Sequence, residues 1–241
     1  MSETTEIAFV SFQPGVSVED VSSPAGRIWQ DMFNNTLDIQ GSRSAYWGRV
    51  VENPSAAILL VNWDSLSSHT SFQNTPEYAP QIRAVTSLLS SSPLLYHITL
   101  DQKALSRALS KTNSFVTEIA TWYFPPTITE TQQSEFEKHV ADLCVEAAKI
   151  DGFVPGGTAS GWGLEEIKNP KTPEGEEAQD VKSYTLFCAW ENVDAHMRFR
   201  DTEGFKRTIA PLREKSAAVE MRHVAFGEAL RQGAEGRPLG S

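Results

Sequence analysis

The chain is short of cysteine: its 241 residues hold two, Cys144 and Cys188. Both lie in apolar periodic segments, so they read as buried thiols and not as a disulfide framework. The five histidines are scattered, with no His-x-His or Cys-x-x-Cys spacing, so no metal site is expected. Basic residues are outnumbered, 21 against 31 acidic ones, giving a formal net charge of −10. An acidic surface repels phosphate backbones, which argues against nucleic acid and anionic membranes as partners. No apolar run approaches the ~18 residues of a membrane span. The segment "MSETTEIAFVSF" is acidic and lacks the basic stretch of a secretory signal. A cytoplasmic location is therefore expected.

What remains is an ordinary globular composition, 40% apolar and 22% charged. The length suits one large domain or two of ~100–150 residues. The chain also repeats itself. "WDSLSSHTSF" (Trp63 to Phe72) and "WENVDAHMRF" (Trp190 to Phe199) share the pattern W-[DE]-x-[LV]-x-x-H-x-x-F. A duplicated unit is the first explanation of such spacing. The likeness extends outward. "EIAFVSFQP" matches "EIATWYFPP", "YWGRVVENP" roughly matches "GWGLEEIKNP", and "LLYHITL" parallels "MRHVAF". The first pair reads as a strand stopped by proline, which lacks the amide a strand interior needs.

Between these matches the elements are legible. Phe136, Val140, Leu143, Cys144 and Ala147 form one helical stripe, with Thr129 or Thr131 as cap. Ile28, Met32, Phe33 and Leu37 do the same in the first repeat, over about 23–37. "AAILLVNW" and "YTLFCAW" read as buried strands. The histidine motif then starts a helix, capped by Asp64 or Ser65 and by Glu191 or Asn192. A second helical stretch follows, with Ile82, Val85, Leu88 and Leu89, and with Phe205, Ile209 and Leu212. Each unit reads strand, helix, strand, strand, helix, strand. The expected domains are residues 1–100 and 115–227, with a helical linker over 101–114 and a frayed tail over 228–241. A polar insertion over 169–180 should project into solvent. "GGTASG" (Gly156 to Gly161) has the look of a phosphate loop but precedes a predicted strand, so it reads as a turn.

A β-α-β-β-α-β unit with tryptophan closing its third strand and W-x-x-x-x-x-H entering a helix resembles the dimeric α/β-barrel superfamily. The antibiotic-biosynthesis-monooxygenase-like branch is the most similar. The resemblance covers about residues 6–100 and 118–227. It implies an α+β fold in which two ferredoxin-like repeats pack their antiparallel sheets face to face as a pseudo-dimeric barrel. A chain supplying both halves is expected to be a monomer or a weak homodimer. Relatives oxygenate aromatic polyketides without cofactor, cyclise or isomerise polyketide-like compounds, degrade haem, or bind ligands. The residues that resemblance would place at a haem site are Ile82, Ile209, Ala8 and Ala120, so haem degradation is not expected. At the cyclase base position stand Tyr78 and Phe205, so that mechanism is not copied directly.

The residues then offer two readings each. His69 and His196 titrate near neutrality and can shuttle protons, but a histidine kept in both repeats also suits a structural hydrogen bond. His97 and His223, on the last strands, either face a pocket or pack in the core. Glu6 and Glu118 begin the first strands. Beside apolar walls either carboxyl would have a raised pKa, whereas at a solvated strand end it would not. The second repeat is richer in aromatics. Trp122, Tyr123 and Tyr184 stand where the first has Val10, Ser11 and Ala57, and Trp162 lies on its second strand. These rings are either core or a ligand wall.

The expected function is a cofactor-independent enzyme using acid-base chemistry on an apolar, aromatic or polyketide-like small molecule. Cyclisation, isomerisation or dehydration is the leading chemistry. The alternatives are cofactor-free monooxygenation of a phenol or anthrone and non-catalytic binding. The site is expected in the second repeat. His196, His223, Tyr123, Tyr184 and Glu118 would be catalytic, and Trp122, Trp162, Phe187, Phe199 and Phe205 would hold substrate. A second-repeat cavity above ~300 Å³ with convergent polar groups separates the enzyme from the non-catalytic protein, and without one the enzyme reading falls.

Overall fold

In the computed structural model, residues 3–109, 115–173 and 175–228 are described. The strands of the first repeat are β1 (Thr4–Ser11), β2 (Ser42–Val50), β3 (Asn53–Trp63) and β4 (Leu94–Ile98). Those of the second are β5 (Val116–Phe124), β6 (Phe153–Lys168), β7 (Asp180–Trp190) and β8 (Ala218–Val224). The two apolar runs fall in β3 and β7, where residues facing both ways are buried. β1 pairs antiparallel with β3 and β4, and β2 pairs with β3. The first sheet therefore runs β4-β1-β3-β2. β5 pairs with β7 and β8, and β6 with β7, so the second runs β8-β5-β7-β6. Both are ferredoxin-like, and the chain is α+β.

The helices follow their capping signals. α1 (Pro24–Asp38) is capped by Ser23, with proline in its first turn, and buries Trp29, Phe33 and Leu37 at four-residue spacing. α5 (Glu130–Ala147) starts at Thr129, which forms a reciprocal capping box with Gln132. It buries Phe136, Val140, Leu143 and Ala147. Next come α2 (Leu66–Gln73), capped by Ser65, and α6 (Val193–Arg200), capped by Asn192. α3 (Tyr78–Thr86) and α7 (Glu203–Lys215) complete the layer on each sheet's helical face. Each repeat buries its own aromatic core between sheet and helices, around Trp29 and Phe33 in one and Trp122 and Phe136 in the other.

Three details differ from the sequence reading. The chain divides into two compact units, one up to Ile98 and the other Thr99–Phe226. The linker helix α4 (Gln102–Ala108) belongs to the second. There Arg107 Nε donates to Gly156 O at 3.1 Å, and Thr117 Oγ1 to Ala108 O at 2.6 Å. Linker residues 110–114 lie outside the described residues. The expected tail starts in order, since β9 (Gly227–Glu228) pairs with Tyr46 and Trp47 of β2 and rejoins the first unit. Residues 229–241 lie outside the described residues. Finally, "GGTASG" is strand, part of β6. A register shift between Phe153 and Thr158 accommodates Gly156, whose φ is +68°, and such an irregularity mimics a turn in sequence.

Candidate functional site

The repeated motif builds the same polar constellation twice. β3 and β7 each end on a tryptophan, after which the chain turns into a short helix. A glycine fixes that turn from outside. Gly41 O accepts from Asp64 N at 2.8 Å, and Gly152 O from Glu191 N at 2.7 Å. Gly152 has φ +94°, and a Cβ there would meet the Ala195 Cβ at 2.6 Å. Gly41, at φ +93°, would meet Ser68 Cβ at 2.7 Å. Only glycine suits both the backbone and the space. The helix so placed lays its histidine on the tryptophan ring, with centroids 4.9 Å apart for Trp63 and His69 and 5.1 Å for Trp190 and His196.

Strand register supplies the rest. Glu6 sits opposite His97, and Glu118 opposite His223. In the second repeat Trp190 Nε1 donates to Glu118 Oε2 at 2.9 Å, and His196 Nε2 lies 3.4 Å from the same oxygen. His196 Nδ1 is 2.7 Å from His223 Nε2. In the first repeat the corresponding distances are 3.0, 3.5 and 2.7 Å. Two neutral histidines satisfy this line when one ring nitrogen donates and the other accepts, and swapping tautomers moves a proton along it. The ligand atoms of Glu6, His69 and His97 lie within 4.8 Å of one another. The 2.7 Å nitrogen separation is nevertheless that of a hydrogen bond. Two nitrogens sharing a tetrahedral zinc would stand about 3.3 Å apart.

Duplication favours an architectural role for this network, tying three strands to a helix. What distinguishes the halves is the space beside it. In the second repeat Glu118, Trp190 and His196 border a cavity of about 180 Å³ between β5, β7, β8 and helices α5, α6 and α7. The first repeat leaves about 70 Å³ beside Glu6, Trp63 and His69. Met32, Phe33 and Tyr78 crowd that space, whereas Ala147, Cys144 and Cys188 line the larger one. The enclosed cavity alone falls short of the expected ~300 Å³, and the site reaches that size only with the groove outside it. A dry cavity of ~150 Å³ accepts benzene, so this one takes a single substituted ring. It also opens outward, sharing Arg200, Phe205, Ile209 and Arg213 with a surface groove of about 480 Å³.

Burial shapes the chemistry of the walls. The Glu118 side chain is 13% exposed. Desolvation holds its carboxyl above the ordinary value, outweighing the Trp190 hydrogen bond and the opposing influence of His223 and Arg200. Burial and the neighbouring Glu118 push the Cys144 thiol up to about 12 and raise Cys188 well above its usual range. Neither thiol is a nucleophile at neutral pH. Trp122 borders the cavity with its ring and is 1% exposed; its indole N–H is buried without a partner among the described residues.

The residues singled out from sequence separate by strand alternation. Glu118, Trp122, His196, Phe199 and Phe205 border the cavity. His223 stands behind His196, buried. Tyr123 does not reach the cavity. It lies on the opposite face of β5 from Trp122, and its hydroxyl donates to Glu220 at 2.9 Å. Phe187 is likewise on the far face of β7 from Leu186 and Cys188, fully buried. Tyr184 shares the helical face but packs in the core on Trp122, Phe136 and Trp162. Its hydroxyl donates to Ser160 at 2.8 Å, and burial pushes its pKa up to about 12. Trp162, expected to hold substrate, does not line the cavity either: it packs on Phe124, Phe136 and Tyr184, and its N–H donates to Glu137 at 2.9 Å. Arg200, Arg213, Cys144 and Met221 were not anticipated as lining. Arg200 had a visible signal, standing where the first repeat has Gln73.

No family model matches this chain, and no curated protein matches it in sequence. Solved structures do. An anthrone oxidase-like protein is 15% identical, with a TM-score of 0.63 over 97% of this chain and 96% of its own. A proposed monooxygenase from Lactobacillus acidophilus NCFM is 10% identical, with a TM-score of 0.53 over 96% of this chain and 97% of its own. Another, from Fusobacterium nucleatum subsp. nucleatum, is 10% identical, with a TM-score of 0.55 over 92% and 91%. The fold is that of a tandem dimeric α/β-barrel protein. At these identities the likeness concerns fold alone. Within that fold, the second repeat of this chain carries the larger of the two cavities beside the Glu-Trp-His-His network. No helix among the described residues is long and apolar enough to cross a membrane.

Proposed function

We propose that this tandem α/β-barrel protein is a small-molecule enzyme that removes a proton from an aromatic substrate in the second-repeat cavity. Glu118 is the base. The observation that carries the reading is a carboxylate of raised pKa on an apolar cavity wall, backed by a hydrogen-bonded histidine pair. A general base works best when its pKa approaches the operating pH. The C–H proton passes to Glu118 and its electron pair stays on the substrate as an enolate or phenolate-stabilised carbanion. His196 and His223 can carry the proton onward. Tyr123 and Tyr184, with their hydroxyls engaged by Glu220 and Ser160, do not supply a donor for the developing oxyanion. The lining comes wholly from one repeat, so a single chain suffices, and proton removal itself needs no cofactor.

Two fates follow the carbanion. It can collapse by cyclisation, isomerisation or dehydration. Alternatively it adds dioxygen, giving a hydroperoxide that loses water to leave a ketone, so that a CH₂ and O₂ become C=O and H₂O. The second fate draws support from the names of the similar structures, an anthrone oxidase-like protein and proposed monooxygenases. Both begin with the same step, so that step is the one to test. In D₂O, the benzylic C–H of phenylacetone, a single-ring ketone, should exchange faster with the wild-type protein. Glu118→Gln should lower the catalysed rate by ~10²–10⁴. Exchange unaffected by the substitution would overturn the reading.

A further inference from the structure

The mouth of the cavity carries a feature absent from the first repeat. Arg200 and Arg213 both border it, and both also line the outer groove. Their counterparts by the repeat alignment are Gln73 and Thr86, which are neutral. Other cations on α7 are engaged: Arg207 with Glu146, Lys206 with Glu203, and Lys215 with Glu135. Arg200 and Arg213 make no ion pair within 4 Å among the described residues. Arg200 lies over the Phe205 ring at 6.0 Å, with Nη1 3.7 Å from Met197 Sδ, and its charge also favours the ionised form of Glu118. Asp201 and the Glu203-paired Lys206 also line the groove, which leaves two guanidiniums against one carboxylate. In a chain of net charge −10, two unpaired arginines at the entrance of an apolar cavity form a local attraction for anions.

Resting on the function proposed above, we infer that the substrate is an aryl carboxylate: its ring fills the 180 Å³ cavity and its carboxylate is held at the mouth by Arg200 and Arg213. The cavity admits one ring, so a longer substrate must place its remainder in the groove, where these side chains lie. A forked guanidinium matches a carboxylate in geometry as well as charge. Glu118 lies on the cavity wall beneath, so the anion is kept at the cationic rim, away from the basic carboxylate.

The test uses 3-phenylpropionate, 4-phenylbutyrate and 5-phenylpentanoate, each beside its neutral amide, with binding followed by calorimetry. For the best chain length the acid should bind about tenfold more tightly than the amide, the worth of one charge-assisted contact. The doubly substituted Arg200→Gln, Arg213→Thr protein has the first repeat's mouth, and there the acid-to-amide ratio should fall below about twofold. Circular dichroism checks its folding, and each single substitution serves if the double one misfolds. Acid and amide binding equally to the wild type would overturn the inference while leaving the aromatic cavity standing. Binding of neither would overturn both.

Discussion

Replacing Glu118 by glutamine should alter how stability depends on pH. The carboxyl is held above its ordinary value of 4.5 by burial, against the pull of Trp190, His223 and Arg200. The unfolded chain gives up this proton near 4.5, and the folded chain gives it up only at higher pH. Between those points the native state binds more protons, so stability falls as pH rises. The contribution is fully present below the unfolded value and is lost as pH climbs through the folded one. One proton limits the slope to about 1.4 kcal/mol per pH unit. For a chain of this size that amounts to roughly 3–6 °C in Tm per pH unit. Glutamine keeps the shape and an oxygen to accept from Trp190, and it cannot titrate. Melting followed by circular dichroism every half unit from pH 4 to 8 should show wild type losing Tm relative to Glu118→Gln above 4.5, then levelling. A difference that is flat or rises with pH would refute burial as the dominant influence on this carboxyl.

Trp63→Phe and Trp190→Phe each remove an indole donor from a largely buried carboxylate, at a cost of ~1–3 kcal/mol. Similar losses in urea unfolding would fit an architectural network common to both halves; a loss confined to one would not. Cys144 and Cys188, with thiols held far above neutrality, should resist iodoacetamide at pH 8 in the native protein and react in denaturant. Rapid native labelling detected by mass spectrometry would contradict the burial described.

The repeat, the element order and the caps at Thr129, Ser65 and Asn192 were legible because each depends on local spacing or on one side chain meeting one amide. The cavity was not. Its volume depends on how Ala147, Cys144 and Cys188 on separate elements sum in space. The faces of Tyr123 and Phe187 depend on strand parity, which the sequence sets only once a partner face is fixed. The histidines were recognised singly. Their joining into one network with Glu118 and Trp190 needed the β5–β8 register, which no motif encodes. The bulge at Gly156 hid a strand for the same reason, since pairing across a ladder leaves no local mark.

Methionine methyl groups offer the most direct measurement. Met221 lines the second-repeat cavity, Met32 the smaller first-repeat space, and Met197 the outer groove. With ¹³C-methyl methionine, titration with a neutral single-ring ligand such as phenol should move the Met221 resonance and leave Met32 in place. A 4-phenylbutyrate titration should move Met197 as well. Movement of Met32 alone, or of Met32 and Met221 equally, would contradict the assignment of the ligand site to the second repeat.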